Sequence, residues 1–289
     1  MEKLRDIAAL RDWRRGMEES GRRVGFVPTM GNLHEGHMAL VENARRQADV
    51  VIVSVFVNPL QFEDPDDLAR YPRTEADDIA VLDRAGVDAV FLPTEAVLYP
   101  HGQDDTARVD PGELGNRLEG AARPGHFTGV ATVVTKLFNL VRPDVAVFGE
   151  KDAQQVAVIR RVVADLNMDL ELVIEPTHRE PDGLAISSRN RFLDDAQRRQ
   201  APAVHRALKR AAESLAGGHT VAATLAGARH WLTQQGFEVD YLVYCDDERF
   251  EEQPRLVPRG RLLVAARLGR VRLIDNLAVH MPQAGTTSV

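Results

Sequence analysis

Between residues 24 and 174, five short and almost unbroken apolar runs alternate with segments of helical period. The runs cover residues 24–28, 50–57, 87–92, 145–148 and 170–174, and they are rich in β-branched and aromatic side chains. A short run without polar alternation suits a strand covered on both faces. In the intervening segment 37–48, Met38, Val41, Ala44 and Ala48 share one face while Glu42, Arg45 and Arg46 point away. Residues 76–85, 129–141 and 153–166 behave similarly. Strands separated by helices require right-handed crossovers, so this half reads as an α/β unit with a Rossmann-like doubly wound parallel sheet.

Residues 176–190 break the pattern with a polar stretch containing Pro181, Asp182 and Gly183, which reads as a flexible connector. Two long helical patterns follow, at 194–216 and 221–235, separated by Gly217 and Gly218. Strand-like runs at 239–244, 262–266 and 271–274 come next. The expectation is two domains, 1–175 and 176–289, the second a smaller C-terminal α+β unit. The polar tail 283–289 is expected to be loose.

Composition removes several classes of function. A single cysteine, Cys245, excludes an internal disulfide framework and a Cys-rich zinc site. No apolar run is long enough to span a bilayer, and the first ten residues lack a signal-peptide core. A cytoplasmic protein without a membrane partner is therefore expected. The net charge of −7 argues against a nucleic-acid partner, which needs a basic face for phosphates. Only Lys3, Lys136, Lys151 and Lys209 stand among the 36 basic residues, and a lysine kept among arginines offers a compact point charge.

Four segments carry chemistry. The first comprises Met30, Gly31, Asn32, Leu33, His34, Glu35, Gly36 and His37, between the first apolar run and the first helical pattern. A helix N-terminus presents unpaired N–H groups to a phosphate, and two imidazoles spaced i, i+3 add donors beside them. No third ligand for a metal is evident near these histidines. The second segment holds Asn58 and Gln61, neutral hydrogen-bonding groups beyond a strand's carboxyl end, suited to hydroxyls. The third pairs the stretch 123–130 with Gly149, Glu150, Lys151 and Asp152, followed by Gln154 and Gln155. Lys151 thus falls at a strand end beside a helix start. The fourth, 183–190, offers Ser187, Ser188 and Arg189.

The 30–37 segment resembles the HIGH signature of nucleotidylyltransferases and class I aminoacyl-tRNA synthetases. With the other three segments, the chain from about residue 25 to 193 resembles the pantothenate synthetase (pantoate–β-alanine ligase) family. That resemblance implies ATP-dependent ligation of (R)-pantoate and β-alanine through a pantoyl adenylate, releasing AMP and pyrophosphate. It implies a catalytic role for His37, with His34 and Lys151 binding and stabilising phosphates. ATP would be bound by residues 30–37, by Gly149, Glu150, Lys151 and Asp152, and by His178, Ile186, Ser187, Ser188 and Arg189. Gln61 and Gln155 would hold pantoate, with Gln61 also near β-alanine, and Tyr71 and Arg123 as pocket neighbours. Mg²⁺ would arrive with ATP, with Asp77 and Asp78 as candidates to contact it. The second domain would act as a lid, and the protein would be a homodimer.

Two positions depart from the family pattern. His178 replaces a small aliphatic residue expected beside adenine, and Ile186 replaces Met or Leu, a volume-conserving change. Rival readings are an adenylyltransferase that stops at the nucleotidyl product, or a nucleotide-binding regulator that has lost catalysis. His34, His37, Lys151, Ser187, Ser188 and Arg189, all present, weigh against the second. The charge and the lack of an anticodon-binding extension weigh against a tRNA synthetase.

Overall fold

The computed structural model describes residues 1–62, 65–279 and 281, so the 283–289 tail lies outside the described residues. The chain divides into two compact units, Met1–Pro176 and Thr177–Val289. The first unit contains β1 (Glu2–Leu4), α1 (Ile7–Glu19), β2 (Val24–Thr29), α2 (Glu35–Gln47) and β3 (Val50–Val55). It continues through α3 (Pro65–Arg70), α4 (Glu75–Arg84), β4 (Ala89–Phe91), α5 (Glu95–Leu98) and α6 (Glu119–Ala122). Next come α7 (His126–Val141), β5 (Val145–Gly149), α8 (Ala153–Asp165) and β6 (Glu171–Glu175).

The sheet order is β1-β4-β3-β2-β5-β6, and every pairing is parallel. Each of the five apolar runs coincides with a strand to within a few residues, so the doubly wound α/β reading holds. A sixth strand, β1, joins at the edge against β4. Its Glu2 and Lys3 are exposed and only Leu4 is buried, so it carries no apolar run to announce it. Helix α1 was also unforeseen, although Asp6 caps it by accepting from the Ala9 amide at 2.8 Å.

The strand period of two sorts the core onto two faces. Val27, Val51, Val53, Val145 and Val147 pack with Val41 and Ala44 of α2. On the other face, Phe138 of α7 packs edge-on against Phe26 and Phe148, with ring centroids 6.3 and 6.2 Å away. Each such ring contributes on the order of 2–3 kcal/mol by leaving water.

The second unit holds α9 (Asp195–Gln200), α10 (Ala203–Ala216), α11 (Val221–Gln234), β7 (Glu238–Asp246), β8 (Gly260–Leu268) and β9 (Val271–Ala278). Its strands form an antiparallel sheet, β7-β8-β9. Leu208, Leu215, Leu232, Leu262 and Val264 share its core. The smaller α+β architecture is as expected, but the single helix expected over 194–216 is two. Pro202 supplies no N–H to continue α9 and instead starts α10.

The 176–190 stretch also differs from a flexible connector. Within the second unit, Arg179 and Ala185 form an antiparallel bridge, and the Ile186 amide donates to the His178 carbonyl at 3.0 Å. Gly183 turns this hairpin at φ +95°, a left-handed conformation.

Candidate functional site

Strand β2 lies between β3 and β5, while the chain reaches β5 only after travelling out to β4. The strand order therefore reverses between β2 and β5, and ligands of open α/β sheets bind outside the carboxyl ends at such a point. Two of the chemical segments start there: residues 30–37 after β2, and Gly149–Asp152 at the end of β5.

The loop after β2 is held by side chains from elsewhere in the unit. Thr29 Oγ1 donates to the Ser54 carbonyl at 2.8 Å and accepts from the Gly31 amide at 3.2 Å. Gly31 and Asn32 both adopt left-handed backbone, φ +79° and +52°. A Cβ on Gly31 would lie 2.9 Å from Asp78 Oδ2, so position 31 needs glycine on two counts. Asp78, 3% exposed, accepts from the amides of Asn32 (3.0 Å) and Leu33 (2.8 Å) and from the Thr74 hydroxyl (3.0 Å). Both of its oxygens are engaged with the unit itself. Asp78 is a loop clamp in this arrangement rather than a carboxylate presented to a metal, and Asp77 is exposed on the surface of α4.

His34 is the N-cap of α2, and its amide donates to His37 Nδ1 at 3.2 Å. An imidazole thus fills the reciprocal capping role that Glu or Gln plays at N3. Because Nδ1 accepts, the proton of neutral His37 resides on Nε2. The rings stack with centroids 4.0 Å apart. Burial, with Lys151 adding to it, pulls His34 down to about 4. Burial and the neighbouring His34 pull His37 to about 3. Both rings are neutral at pH 7 and act as hydrogen-bonding groups.

Gly149 ends β5, and Glu150–Asp152 form a 3-10 turn leading into α8. Lys151 is mostly buried, its Nζ 3.4 Å from Asp152 Oδ1. Lys151 and Asp152 both act electrostatically on the two histidines, so the 30–37 and 149–152 segments form one cluster. Gln155 lies half-buried in the first turn of α8. Its neighbour Gln154 is spent on structure: it donates to the carbonyls of Leu114 (2.9 Å) and Arg117 (2.8 Å) and accepts from the Glu119 amide (3.1 Å).

Asn58 caps the 3-10 turn Pro59–Gln61 and Gln61 ends it, and both are buried. Asn58 Nδ2 donates to Gln61 Oε1 (3.0 Å) and to the Gly129 carbonyl (3.1 Å). Its Oδ1 accepts from the Leu60 amide (3.3 Å) and the Tyr99 hydroxyl (2.8 Å). Asn58 is therefore saturated and supports Gln61 instead of meeting a hydroxyl of a ligand. The Gln61 carbonyl accepts from Arg123 Nη2 (3.1 Å) and His126 Nδ1 (3.0 Å). Burial, reinforced by Arg123, lowers His126 to about 4. Tyr71 packs edge-on against Phe62, 5.4 Å between centroids. A Cβ on Gly129 would fall 2.1 Å from the Leu60 carbonyl oxygen, so α7 seats on this turn only because residue 129 is glycine.

In the second unit, His178 and Ile186 pair across the hairpin, and Ser187, Ser188 and Arg189 follow it. Ser187 caps the 3-10 turn Ser188–Phe192, accepting from the Arg189 amide at 3.3 Å. Behind the hairpin, Asp275 of β9 takes both guanidinium nitrogens of Arg179, at 2.7 and 2.9 Å. Burial opposes the Asp275 charge, but His205 and Arg179 outweigh it and hold the carboxyl below its usual value.

Sequence reasoning did not single out Tyr99 or His126, and it gave Asp78 a different role. Their signals are weak, because each acts through a partner distant in the chain. No group of three His, Cys, Asp or Glu suited to a metal ion occurs among the described residues. No helix among them is long and apolar enough to cross a membrane.

The sequence model of the Pantoate-beta-alanine ligase family matches residues 2–278. A pantothenate synthetase of Photobacterium profundum is 47% identical over 284 residues, covering 98% of this chain and 96% of that protein. The crystal structure of pantothenate synthetase from Thermus thermophilus superimposes with a TM-score of 0.89 at 46% identity, over 97% of this chain and 100% of that one. Pantoate-beta-alanine ligase from Francisella tularensis, complexed with beta-gamma ATP and beta-alanine, gives a TM-score of 0.81 at 35% identity, over 96% and 97% of the two chains.

Proposed function

Because the chain belongs to the pantoate–β-alanine ligase family, we propose that it joins pantoate to β-alanine in two steps, by way of a pantoyl adenylate. In the first step the pantoate carboxylate attacks the α-phosphorus of ATP and pyrophosphate leaves. In the second, the β-alanine amine attacks the acyl carbon and AMP leaves. The observation that carries this reading is the clustering of His34, His37 and Lys151 at the β2–β5 reversal. Attack at phosphorus builds negative charge on the phosphoryl oxygens, and preorganised donors in a dry site stabilise that charge. His37 supplies an Nε2–H and Lys151 a fixed positive charge.

The wider ATP assignment covers residues 30–37 and Gly149–Asp152, and, on the family resemblance, His178, Ile186, Ser187, Ser188 and Arg189. Gln61 and Gln155 are assigned to pantoate, with Gln61 near β-alanine. Mg²⁺ enters as the counter-ion of the ATP phosphates, so no resident metal site is required. A cytoplasmic homodimer is the setting that the family resemblance supports.

Exchange of labelled pyrophosphate into ATP tests the order of steps. Exchange with pantoate alone is the expected result. A strict requirement for β-alanine would show a concerted route instead. Release of AMP only when pantoate and β-alanine are both present separates this activity from an adenylyltransferase and from a catalytically silent regulator.

A further inference from the structure

The geometry points to Tyr99 as a positioning residue that, through Asn58, holds the Gln61 carboxamide in place with only its N–H₂ end left to serve the substrate. This rests on the assignment of Gln61 to pantoate and adds the direction of the contact. The two ends of a carboxamide are nearly the same shape, so only hydrogen bonding decides which way each points.

Two backbone groups decide it for Asn58. The Gly129 carbonyl can only accept and the Leu60 amide can only donate. Asn58 must therefore place Nδ2 toward Gly129 and Oδ1 toward Leu60. The other Nδ2 hydrogen then points at Gln61, whose side chain must answer with oxygen, as the 3.0 Å contact shows. A reversed Gln61 would set two donors against each other in a buried place. Tyr99 closes the arrangement by donating to Asn58 Oδ1 at 2.8 Å. Burial pushes the Tyr99 phenol above its ordinary value, so it keeps the proton it donates. Tyr99, Asn58 and Gln61 are 2%, 1% and 7% exposed.

With Oε1 spent, Gln61 Nε2 makes no hydrogen bond to another described residue. It is a donor without accepting capacity. Such a group favours an oxygen, either a hydroxyl lone pair or a carboxylate, and offers nothing to an ammonium. Gln61 is thereby a reader of pantoate oxygen rather than of the β-alanine amine.

The test is a double-mutant cycle on substrate KM. Tyr99→Phe should raise the KM for pantoate about tenfold, the loss expected for one buried hydrogen bond. The KM for ATP should stay within about twofold, and kcat should fall less than KM rises. In a Gln61→Ala background the same Tyr99→Phe change should have almost no further effect on the pantoate KM. An equal effect in both backgrounds, or none in the wild type, would overturn the role of Tyr99. If Gln61→Ala alone left the pantoate KM unchanged, the pantoate assignment itself would fall. Should Tyr99→Phe not fold, Gln61→Glu carries the test. It keeps the acceptor for Asn58 but removes the donor, so pantoate KM should rise by about 100-fold or more. Retention within about threefold would overturn the donor-only contact.

Discussion

His37 has two separable duties, and single substitutions can divide them. Its Nδ1 caps the His34 amide, while its Nε2–H remains for a phosphate. His37→Ala should slow adenylate formation about 100-fold, the usual loss for one aimed donor, and should also lower stability by about 1 kcal/mol through the lost cap. His37→Asn can restore the cap through its Oδ1, so denaturant midpoints should recover while single-turnover rates do not. Recovery of both together would mean that the ring acts only as a cap. Lys151→Ala should also slow adenylate formation about 100-fold. Lys151→Arg should not rescue it, since a planar fork cannot occupy the place of a compact ammonium. Near-normal pyrophosphate exchange in Lys151→Ala would remove Lys151 from the mechanism.

At the scale of elements, the sharpest dependence is the seat of α7 on the Pro59–Gln61 turn. Gly129→Ala pushes a methyl group into the Leu60 carbonyl, so helix or turn must shift. Overpacking of this kind costs about 1–3 kcal/mol, and here the displaced backbone carries Gln61 with it. Thermal unfolding should show the lost stability, and the pantoate KM should rise as well; a stable Gly129→Ala protein with unchanged KM would contradict the proposed link. Cys245, buried in β7 with its thiol pushed up by burial, belongs to none of these devices. Cys245→Ala should keep its turnover and lose only packing energy, and a lost chemical step would reveal a thiol function.

Elements were legible in proportion to how much apolar surface each one buries. β2, β3 and β5 are covered on both faces and announce themselves as continuous Val and Phe runs. β1 pairs on one side only and carries charges, so its three residues resemble a loop. The break at Pro202 had a visible signal, but the helical period on either side hid it. In the site, the 30–37 and 149–152 segments could be read because their chemistry is contiguous in the chain. The supports could not. Asp78 reaches the loop from 46 residues away, and Tyr99 reaches Asn58 from 41.

For the molecule as a whole, partly buried neutral histidines shape the response to acid. His34, His37 and His126 are all depressed, to about 4, 3 and 4. An unfolded chain takes up their protons near pH 6.5, while the folded one resists until well below. Between about pH 6.5 and 4 the unfolded state therefore binds more protons, and stability falls as pH falls. Partly buried His37 and His126 can each remove up to about 1.4 kcal/mol per pH unit over that window. Above pH 6.5 these groups contribute no slope. Urea midpoints from pH 8 to 4 should show a plateau and then a decline, and His126→Gln should make the decline shallower. An unchanged decline would assign it to other groups.

Parallel pairing of β2 with β5 also governs the order in which the chain can assemble. Gly25 meets Val145 across that pairing, 120 residues further along the chain. The backbone amide of Val24 is likewise held by the Asp144 carboxylate at 2.7 Å. At about 5–20 residues per second, a ribosome takes on the order of 6–24 s to deliver the missing partner. Throughout that interval β2, a mostly apolar strand, presents an open edge of unpaired N–H and C=O groups to whatever is nearby, the condition under which strands pair with the wrong chain. Slow, late closure of a non-local pairing is thus the kinetic counterpart of a ligand cleft made where the sheet reverses. A nascent chain halted before residue 145 would hold the histidine loop but neither Lys151 nor the strand that positions it.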